Sequence, residues 1–241
     1  MKTELITYAM GSLTAEGALV YDDNVTGKRP GLLMAPNWLG MTDQAIARAK
    51  LLAGDRYVVF VADVYGQGVR PDFAGAPALA NPLRENAAEH RRRIRAAYDT
   101  LIAEGAKRGL VDGRRAAIGF CFGGGSVLEL ARDGADLAAA VSIHGDLKTA
   151  APAQPGAVKA ALLVTHGAPD PVVPKADRDA FEAEMDAAGA KWEMLVFSGV
   201  LHAYTDEGLL VPGVAAWHEP STRQTYALTH QFIADAFAGK L

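Results

Sequence analysis

Short hydrophobic runs alternate along the chain with longer amphipathic stretches. The short runs have the length of β-strands and contain few polar residues. Predicted strands cover Leu5–Ala9, Gly17–Tyr21, Gly31–Ala35, Tyr57–Ala62, Arg115–Phe120, Ala138–Ile143, Ala161–Thr165 and Trp192–Phe197. Strands that are apolar on both faces are typical of parallel sheets covered by helices. The pattern therefore predicts an α/β fold, with a leading antiparallel hairpin, a mostly parallel central sheet and helices on both faces.

The stretches between the strands carry helical periodicity. Predicted helices cover Asp43–Leu52, Arg84–Lys107, Gly124–Arg132, Pro174–Ala188 and Ser221–Ala238. Thr42 is expected to cap the first of these helices and Gly54 to end it. A Gly- and Pro-rich segment from Tyr65 to Pro82 predicts a long loop over the sheet edge. Because neither a repeat nor a linker interrupts the alternation, we expect a single domain over residues 1–241.

Composition and charge exclude several classes of function. The net charge is −4, and half of the residues are hydrophobic. The one basic run, His90–Arg93, lies in a helical pattern after Glu85 and Glu89, which predicts a solvated helix face rather than a nucleic-acid surface. No apolar stretch approaches the roughly 18 residues of a membrane span. The N-terminus lacks a signal-peptide pattern and the single cysteine fits a reducing compartment, so we expect a cytoplasmic protein without nucleic-acid or membrane partners.

The single cysteine lies in the most informative motif, Gly119-Phe120-Cys121-Phe122-Gly123. It stands between a predicted strand and a predicted helix, which is the G-x-S-x-G arrangement of a nucleophile elbow with Cys in place of Ser. In such a turn the residues two before and two after the nucleophile approach closely, so both need to be glycine. The helix N-terminus favours a thiolate, and the N–H of Phe122 can donate to an oxyanion. The alternative interpretation is an inert buried cysteine.

Two later loops offer an acid and a base in the chain order of this motif. Asp170 follows the seventh predicted strand and His202 follows the eighth, so both are expected at the carboxyl edge of the sheet. We predict that His202 exchanges protons with Cys121 and that Asp170 orients its ring. The alternative interpretations are that Asp170, which precedes a proline, only forms a turn, and that His202 is a solvated loop residue. The histidines show no metal-binding spacing, so we predict no metal site.

With these residues the chain resembles the dienelactone hydrolase family over nearly its full length. The resemblance rests on Met34–Gly40, Ala62–Gly66, Gly119–Gly124, His166–Pro174 and Gly199–Tyr204. It implies an α/β-hydrolase fold, a Cys-His-Asp triad, no cofactor, and hydrolysis of esters or lactones through an acyl-thioenzyme. It also implies that the backbone N–H of Trp38 is a second oxyanion donor.

Two positions depart from the family pattern. Asn37 stands where the family has a glutamate that assists thiol activation. Asp206 stands where the family has an arginine that binds the substrate carboxylate, and an aspartate would repel that group. Arg84 lies near the position of the family's other carboxylate-binding arginine. The predicted substrate-binding residues are Asn37, Arg84, His144 and Tyr204.

The leading hypothesis is a hydrolase of a small carboxylic ester or lactone, present as a monomer or homodimer. An acyl thioesterase of the same fold is an alternative. A second alternative is a non-catalytic binding or redox-sensing protein, which the uncharged Asn37 favours.

Overall fold

The computed structural model describes all 241 residues and contains a central eight-stranded sheet. Its strands are β1 (Lys2–Met10), β2 (Leu13–Tyr21), β3 (Arg29–Ala35), β4 (Val58–Val61), β5 (Val111–Phe120), β6 (Ala139–Ile143), β7 (Ala161–Gly167) and β8 (Trp192–Phe197). Two short strands pair outside this sheet, β9 (Leu210–Val211) and β10 (Ala215–Ala216). The helices are α1 (Asp43–Ala53), α2 (Ala76–Glu85), α3 (Ala87–Lys107), α4 (Phe122–Arg132), α5 (Lys175–Ala188) and α6 (Glu219–Phe237).

The strands are ordered β1-β2-β4-β3-β5-β6-β7-β8 across the sheet. β2 pairs antiparallel with both β1 and β4, and all remaining pairs are parallel. Parallel neighbours need crossover connections, which the helices supply. The α/β fold predicted from the sequence, with its leading hairpin and mostly parallel sheet, is therefore confirmed.

Alternate residues of the central strands enter two separate cores. Along β3, Leu33 and Ala35 belong to the core that contains α3 and α4, whereas Leu32 and Met34 belong to the core that contains α1 and α6. Every residue of this strand is buried, which explains why its sequence is apolar after Arg29. None of the six helices combines the length and the apolar character that crossing a bilayer would require.

The loop predicted from Tyr65 to Pro82 is wrong over its second half, where α2 forms. Pro77 lies in the first turn of α2, where a backbone N–H has no helical partner in any case. A proline there is compatible with a helix start, so the Gly and Pro content of the segment was misleading.

The single helix predicted from Arg84 to Lys107 is two helices. Asn86 ends α2, and its side chain caps α3 by accepting from the N–H of Glu89 at 3.1 Å. The solvated face predicted for the basic run is also wrong at its first residue. His90 is buried, and its ring stacks on the Phe122 ring with 5.0 Å between centroids.

Candidate active site

Cys121 is the single residue between the end of β5 and the start of α4. Its φ of 52° is a conformation that residues with side chains rarely adopt. The Cys121 N–H donates to the carbonyl of Ile143 at 3.1 Å, and its own carbonyl accepts from the N–H of Gly124 at 2.8 Å. These bonds fix a sharp turn at the carboxyl edge of the sheet, with the thiol at the floor of a cavity.

Two glycines make this turn sterically possible. A β-carbon on Gly119 would collide with the backbone of Gly123, and one on Gly123 would collide with the carbonyl oxygen of Ala35. The close approach expected from the motif is therefore confirmed. The same packing places the N-terminus of α4 against the end of β3, where the segment Asn37–Gly40 begins.

The structure brings Cys121, His202 and Asp170 together. His202 Nε2 lies 3.2 Å from Cys121 Sγ, and His202 Nδ1 lies 2.8 Å from Asp170 Oδ2. The other carboxylate oxygen of Asp170 accepts from the N–H groups of Val172 and Val173, at 2.8 and 3.0 Å. All three side chains are buried. Cys121 and His202 line the cavity, whereas Asp170 does not.

The electrostatics of this group favour a protonated His202. Burial by itself lowers the pKa of His202, but the charge of Cys121 and the hydrogen bond to Asp170 outweigh burial and raise that pKa to about 10. Burial would raise the pKa of Asp170, yet its interactions with His166 and His202 hold this pKa below the ordinary value. The site is therefore suited to a thiolate–imidazolium pair beside an ionised carboxylate.

Two predicted substrate contacts do not reach the cavity. The fully buried His144 has its Nε2 2.8 Å from Thr205 Oγ1, and its ring meets the His202 ring edge-on. Tyr204, also fully buried, donates its hydroxyl to Thr165 Oγ1 at 2.7 Å. Both residues pack behind His202 because their side chains point into the core. The prediction that they contact substrate is corrected: they support the His202 loop from behind.

Burial also lowers the pKa of His144 and of His166, which lies 3.9 Å from Asp170. Of the three histidines in this cluster, His202 alone has its pKa raised above the ordinary value. No three histidine, cysteine or carboxylate side chains converge in a way that could hold a metal ion.

Two backbone N–H groups are candidates for contact with a ligand: that of Phe122, which follows Cys121 at the start of α4, and that of Trp38, which lines the cavity. Neither donates to a protein acceptor, although the surrounding backbone is extensively hydrogen-bonded. An unpaired N–H at a helix start, as at Phe122, is a ready donor for an anion. Asn37 and Arg84, which were predicted to bind substrate, line the cavity together with Trp38.

Tyr65 contacts both Trp38 and Phe122, which the sequence did not reveal. Its hydroxyl donates to the carbonyl of Trp38 at 3.0 Å, and its ring stacks against the Phe122 ring with 5.8 Å between centroids. The peptide between Trp38 and Leu39 is also held at its other end, because the Leu39 N–H donates to Asn37 Oδ1 at 3.1 Å. The sequence shows Tyr65 only as part of the Ala62–Gly66 segment, and the residues that it contacts are distant in sequence.

The cavity above Cys121 has a volume of about 250 Å³, and nine of its thirteen lining residues are hydrophobic. The lining consists of Asn37, Trp38, Phe73, Arg84, Cys121, Val172, His202, Ala203, Asp206, Leu209, Val211, Val214 and Ala215. Several of these come from the β9–β10 hairpin, which periodicity did not predict because each strand has only two residues.

The two charged side chains of the lining, apart from His202, are already paired. Arg84 Nε lies 2.7 Å from Asp146 Oδ2. Asp206 Oδ1 lies 2.8 Å from Arg48 Nη2, and Asp206 Oδ2 accepts from Asn37 Nδ2 at 3.3 Å. The contact of Arg48, on α1, with Asp206 could not be predicted from the sequence, because the two residues are 158 positions apart.

Comparison with known proteins agrees with this geometry. The model of the dienelactone hydrolase family matches residues 16–234. A solved structure named m3DLH is 33% identical, covers 98% of both chains and superposes with a TM-score of 0.90. A dienelactone hydrolase-like promiscuous phosphotriesterase from metagenomic libraries is 30% identical, with 98% coverage of both chains and a TM-score of 0.87.

A thermophilic esterase from Thermogutta terrifontis shares the fold at 16% identity, with 99% of this chain and 93% of that chain covered and a TM-score of 0.67. No protein with a curated description matches this chain. The family match spans most of the sequence, and two relatives share at least 30% identity over nearly all of it. The chain therefore belongs to the dienelactone hydrolase family, and it is a hydrolase of the ester-cleaving type.

Proposed function

We propose that this protein hydrolyses a small carboxylic ester or lactone, with Cys121 as nucleophile, His202 as proton carrier and Asp170 as the group that orients His202. The observation that carries the proposal is the continuous contact from Asp170 through His202 to Cys121 Sγ, at 2.8 and 3.2 Å, beneath an open cavity. A buried cysteine with only a structural role would need neither the imidazole contact nor the strained backbone.

The first half of the reaction uses the ion pair. The Cys121 thiolate attacks the substrate carbonyl carbon, and the carbonyl π electrons move to oxygen to form a tetrahedral oxyanion. The N–H groups of Phe122 and Trp38 donate to this oxyanion, which lowers the barrier where negative charge develops. The oxyanion then collapses, the C–O bond to the leaving group breaks, and His202 gives its proton to the departing alkoxide. The products are an alcohol and an acyl-thioenzyme.

The second half needs a neutral imidazole. Once Cys121 is acylated its negative charge is gone, so the largest influence that raises the pKa of His202 disappears and the ring can act as a base. His202 takes a proton from water as the water oxygen attacks the thioester carbonyl. Collapse of the second tetrahedral intermediate expels the Cys121 thiolate and releases the carboxylic acid. For a lactone, the alcohol and the acid remain in one molecule.

Acylation of Cys121 tests this proposal directly, because the chain holds no other cysteine. We expect p-nitrophenyl acetate to give a burst of up to one p-nitrophenolate per chain, together with a mass increase of one acetyl group on the peptide that contains Cys121. Cys121→Ala should lose the burst, the mass increase and all turnover above background. Leu51→Ser, at an exposed position on α1, serves as the control and should behave as wild type.

Retained turnover in Cys121→Ala would exclude the cysteine mechanism. Modification of Cys121 without turnover in wild type would instead favour the redox-sensing alternative. Acyl thioesters should be included in the substrate panel, because the same residues could cleave them with a thiol as the leaving group.

A second candidate activity is the hydrolysis of phosphotriesters. It is suggested by the relative whose description is a promiscuous phosphotriesterase and by the paired charges of the cavity wall, which suit an uncharged substrate. Turnover of a p-nitrophenyl dialkyl phosphate triester, lost in Cys121→Ala, would support it. If wild type cleaves carboxylic esters but no phosphotriester, this second activity is excluded.

A further inference from the structure

We propose that the substrate is an electrically neutral ester or lactone with an apolar acyl group, which packs against an apolar rim at the mouth of the cavity. The rim is defined by Phe73, Val172, Val211 and Val214. This inference rests on the function proposed above, and it adds the chemical class of the substrate.

The rim side chains are unusually exposed for hydrophobic residues. Phe73 is 56% exposed, Val172 42%, and Val211 and Val214 40% each, although all four line the cavity above Cys121. Contiguous exposed apolar side chains on a water-soluble surface mark places where a ligand is bound. Hydrophobic contact with a substrate would remove these side chains from water, which is the driving force for binding an apolar group.

Three segments that are distant in sequence form the rim, so its apolar character does not come from one hydrophobic stretch. Phe73 precedes α2, Val172 follows Asp170, and Val211 and Val214 belong to the β9–β10 hairpin. The hairpin is hydrogen-bonded to the backbone of His202: the His202 N–H donates to the carbonyl of Val214, and the Ala216 N–H donates to the carbonyl of His202, both at 3.2 Å. The apolar surface is therefore tied to the proposed proton carrier.

The two cationic side chains that line the cavity, Arg84 and His202, each already contact a carboxylate. The Arg84 guanidinium is held by Asp146, and its face lies over the Phe122 ring. The Asp206 carboxylate borders the cavity and is held by Arg48. A carboxylate entering here would be desolvated between apolar side chains and would face the negative charge of Asp206, and Asp146 already occupies one edge of the Arg84 guanidinium. A neutral group would incur neither cost.

Two substrates of equal length test the preference for a neutral group. p-Nitrophenyl hexanoate and the mono-p-nitrophenyl ester of adipic acid have six acyl carbons each and differ at the end of the chain, methyl against carboxylate. We expect kcat/KM for the hexanoate to be higher by about tenfold or more. Equal or faster cleavage of the adipate ester would overturn the inference and leave the proposed function intact. Failure to cleave either ester would instead contradict the proposed function.

The rim itself is tested by chain length. From p-nitrophenyl acetate to hexanoate, kcat/KM should rise by up to about fourfold per added methylene, the gain expected for full burial of that group. In Phe73→Ser and in Val211→Ser the hexanoate-to-acetate ratio should fall at least severalfold, whereas Leu51→Ser should keep the wild-type ratio. Unchanged ratios in both rim variants would overturn the assignment of the acyl group to this surface.

Discussion

The proposed catalytic centre and the mouth of the cavity are built in opposite ways. Cys121, His202 and Asp170 are buried, hydrogen-bonded to one another, and attached to the ends of central strands or to the loops that follow them. The rim above them consists of exposed apolar side chains from surface loops and a small hairpin. The centre offers a fixed arrangement of charge, while the mouth offers only apolar surface.

This difference separates the reaction from the choice of substrate. Bond making and proton transfer need atoms held within a few tenths of an ångström, which buried and fully bonded groups provide. Binding of an apolar group needs only an apolar surface. Such a surface tolerates substitution of its residues well. Changes at the centre should therefore reduce turnover of every substrate, and changes at the mouth should alter the order of preference among substrates.

Among variants that keep Cys121, the largest effect is expected from His202→Gln, which removes the proposed proton carrier and keeps a polar side chain of similar size. We expect kcat/KM to fall by about three to four orders of magnitude for all esters alike. A fall limited to esters with long acyl chains would contradict the separation between centre and mouth.

The same variant tests the ion pair through the pH dependence of alkylation. The pKa of His202, about 10 in the folded protein, lies above the ordinary value near 6.5, so the imidazolium persists through neutral pH and is lost as the pH rises towards 10. Cys121 in wild type should therefore react with iodoacetamide at a rate that changes little from pH 6 to 9. In His202→Gln the rate should rise with pH like that of an ordinary thiol, whose pKa is about 8.5. The same pH dependence of alkylation in wild type and in His202→Gln would exclude the proposed Cys121–His202 ion pair.

An intermediate effect is expected from Tyr65→Phe, because Tyr65 contacts the two residues whose N–H groups we propose as oxyanion donors. Loss of its hydroxyl frees the Trp38 carbonyl, and kcat should fall by about tenfold with little change in KM, less than the loss of an oxyanion donor itself. Alkylation of Cys121 by iodoacetamide forms no oxyanion and should stay at the wild-type rate. Equal losses in alkylation and in ester cleavage would indicate general disruption instead of a positioning role.

The smallest effect on turnover is expected from Asp206→Asn, which lies between the two regions. Removal of the negative charge from the cavity wall leaves Arg48 without its carboxylate, so the adipate-to-hexanoate ratio of kcat/KM should rise about fivefold. The free energy of unfolding in urea should fall by about 2 kcal/mol, because a mostly buried guanidinium loses its carboxylate. Asp179→Asn removes a surface partner of Lys175 and should change neither quantity measurably. An unchanged ratio in Asp206→Asn would mean that this carboxylate does not face the acyl group.

The sequence by itself determined the layered sheet and the place of the cysteine within it. Buried strands such as β4 are apolar along their whole length, and this local pattern does not depend on distant contacts. Gly119 and Gly123 are recognisable because the turn at Cys121 leaves no room for a β-carbon on either. The positions of Asp170 and His202 followed from chain order and from the strands that precede them.

Only the tertiary structure decided how the cavity is lined and which charges are free. Asp206 is paired with Arg48, and the Trp38 carbonyl accepts from Tyr65, but neither partner is near in sequence. The side chains of His144 and Tyr204 are buried in the core, although their positions in loops had predicted contact with substrate. Periodicity and steric limits act over a few residues and can be read locally. Charge pairing and burial depend on segments that meet only after folding, so they had to be seen in three dimensions.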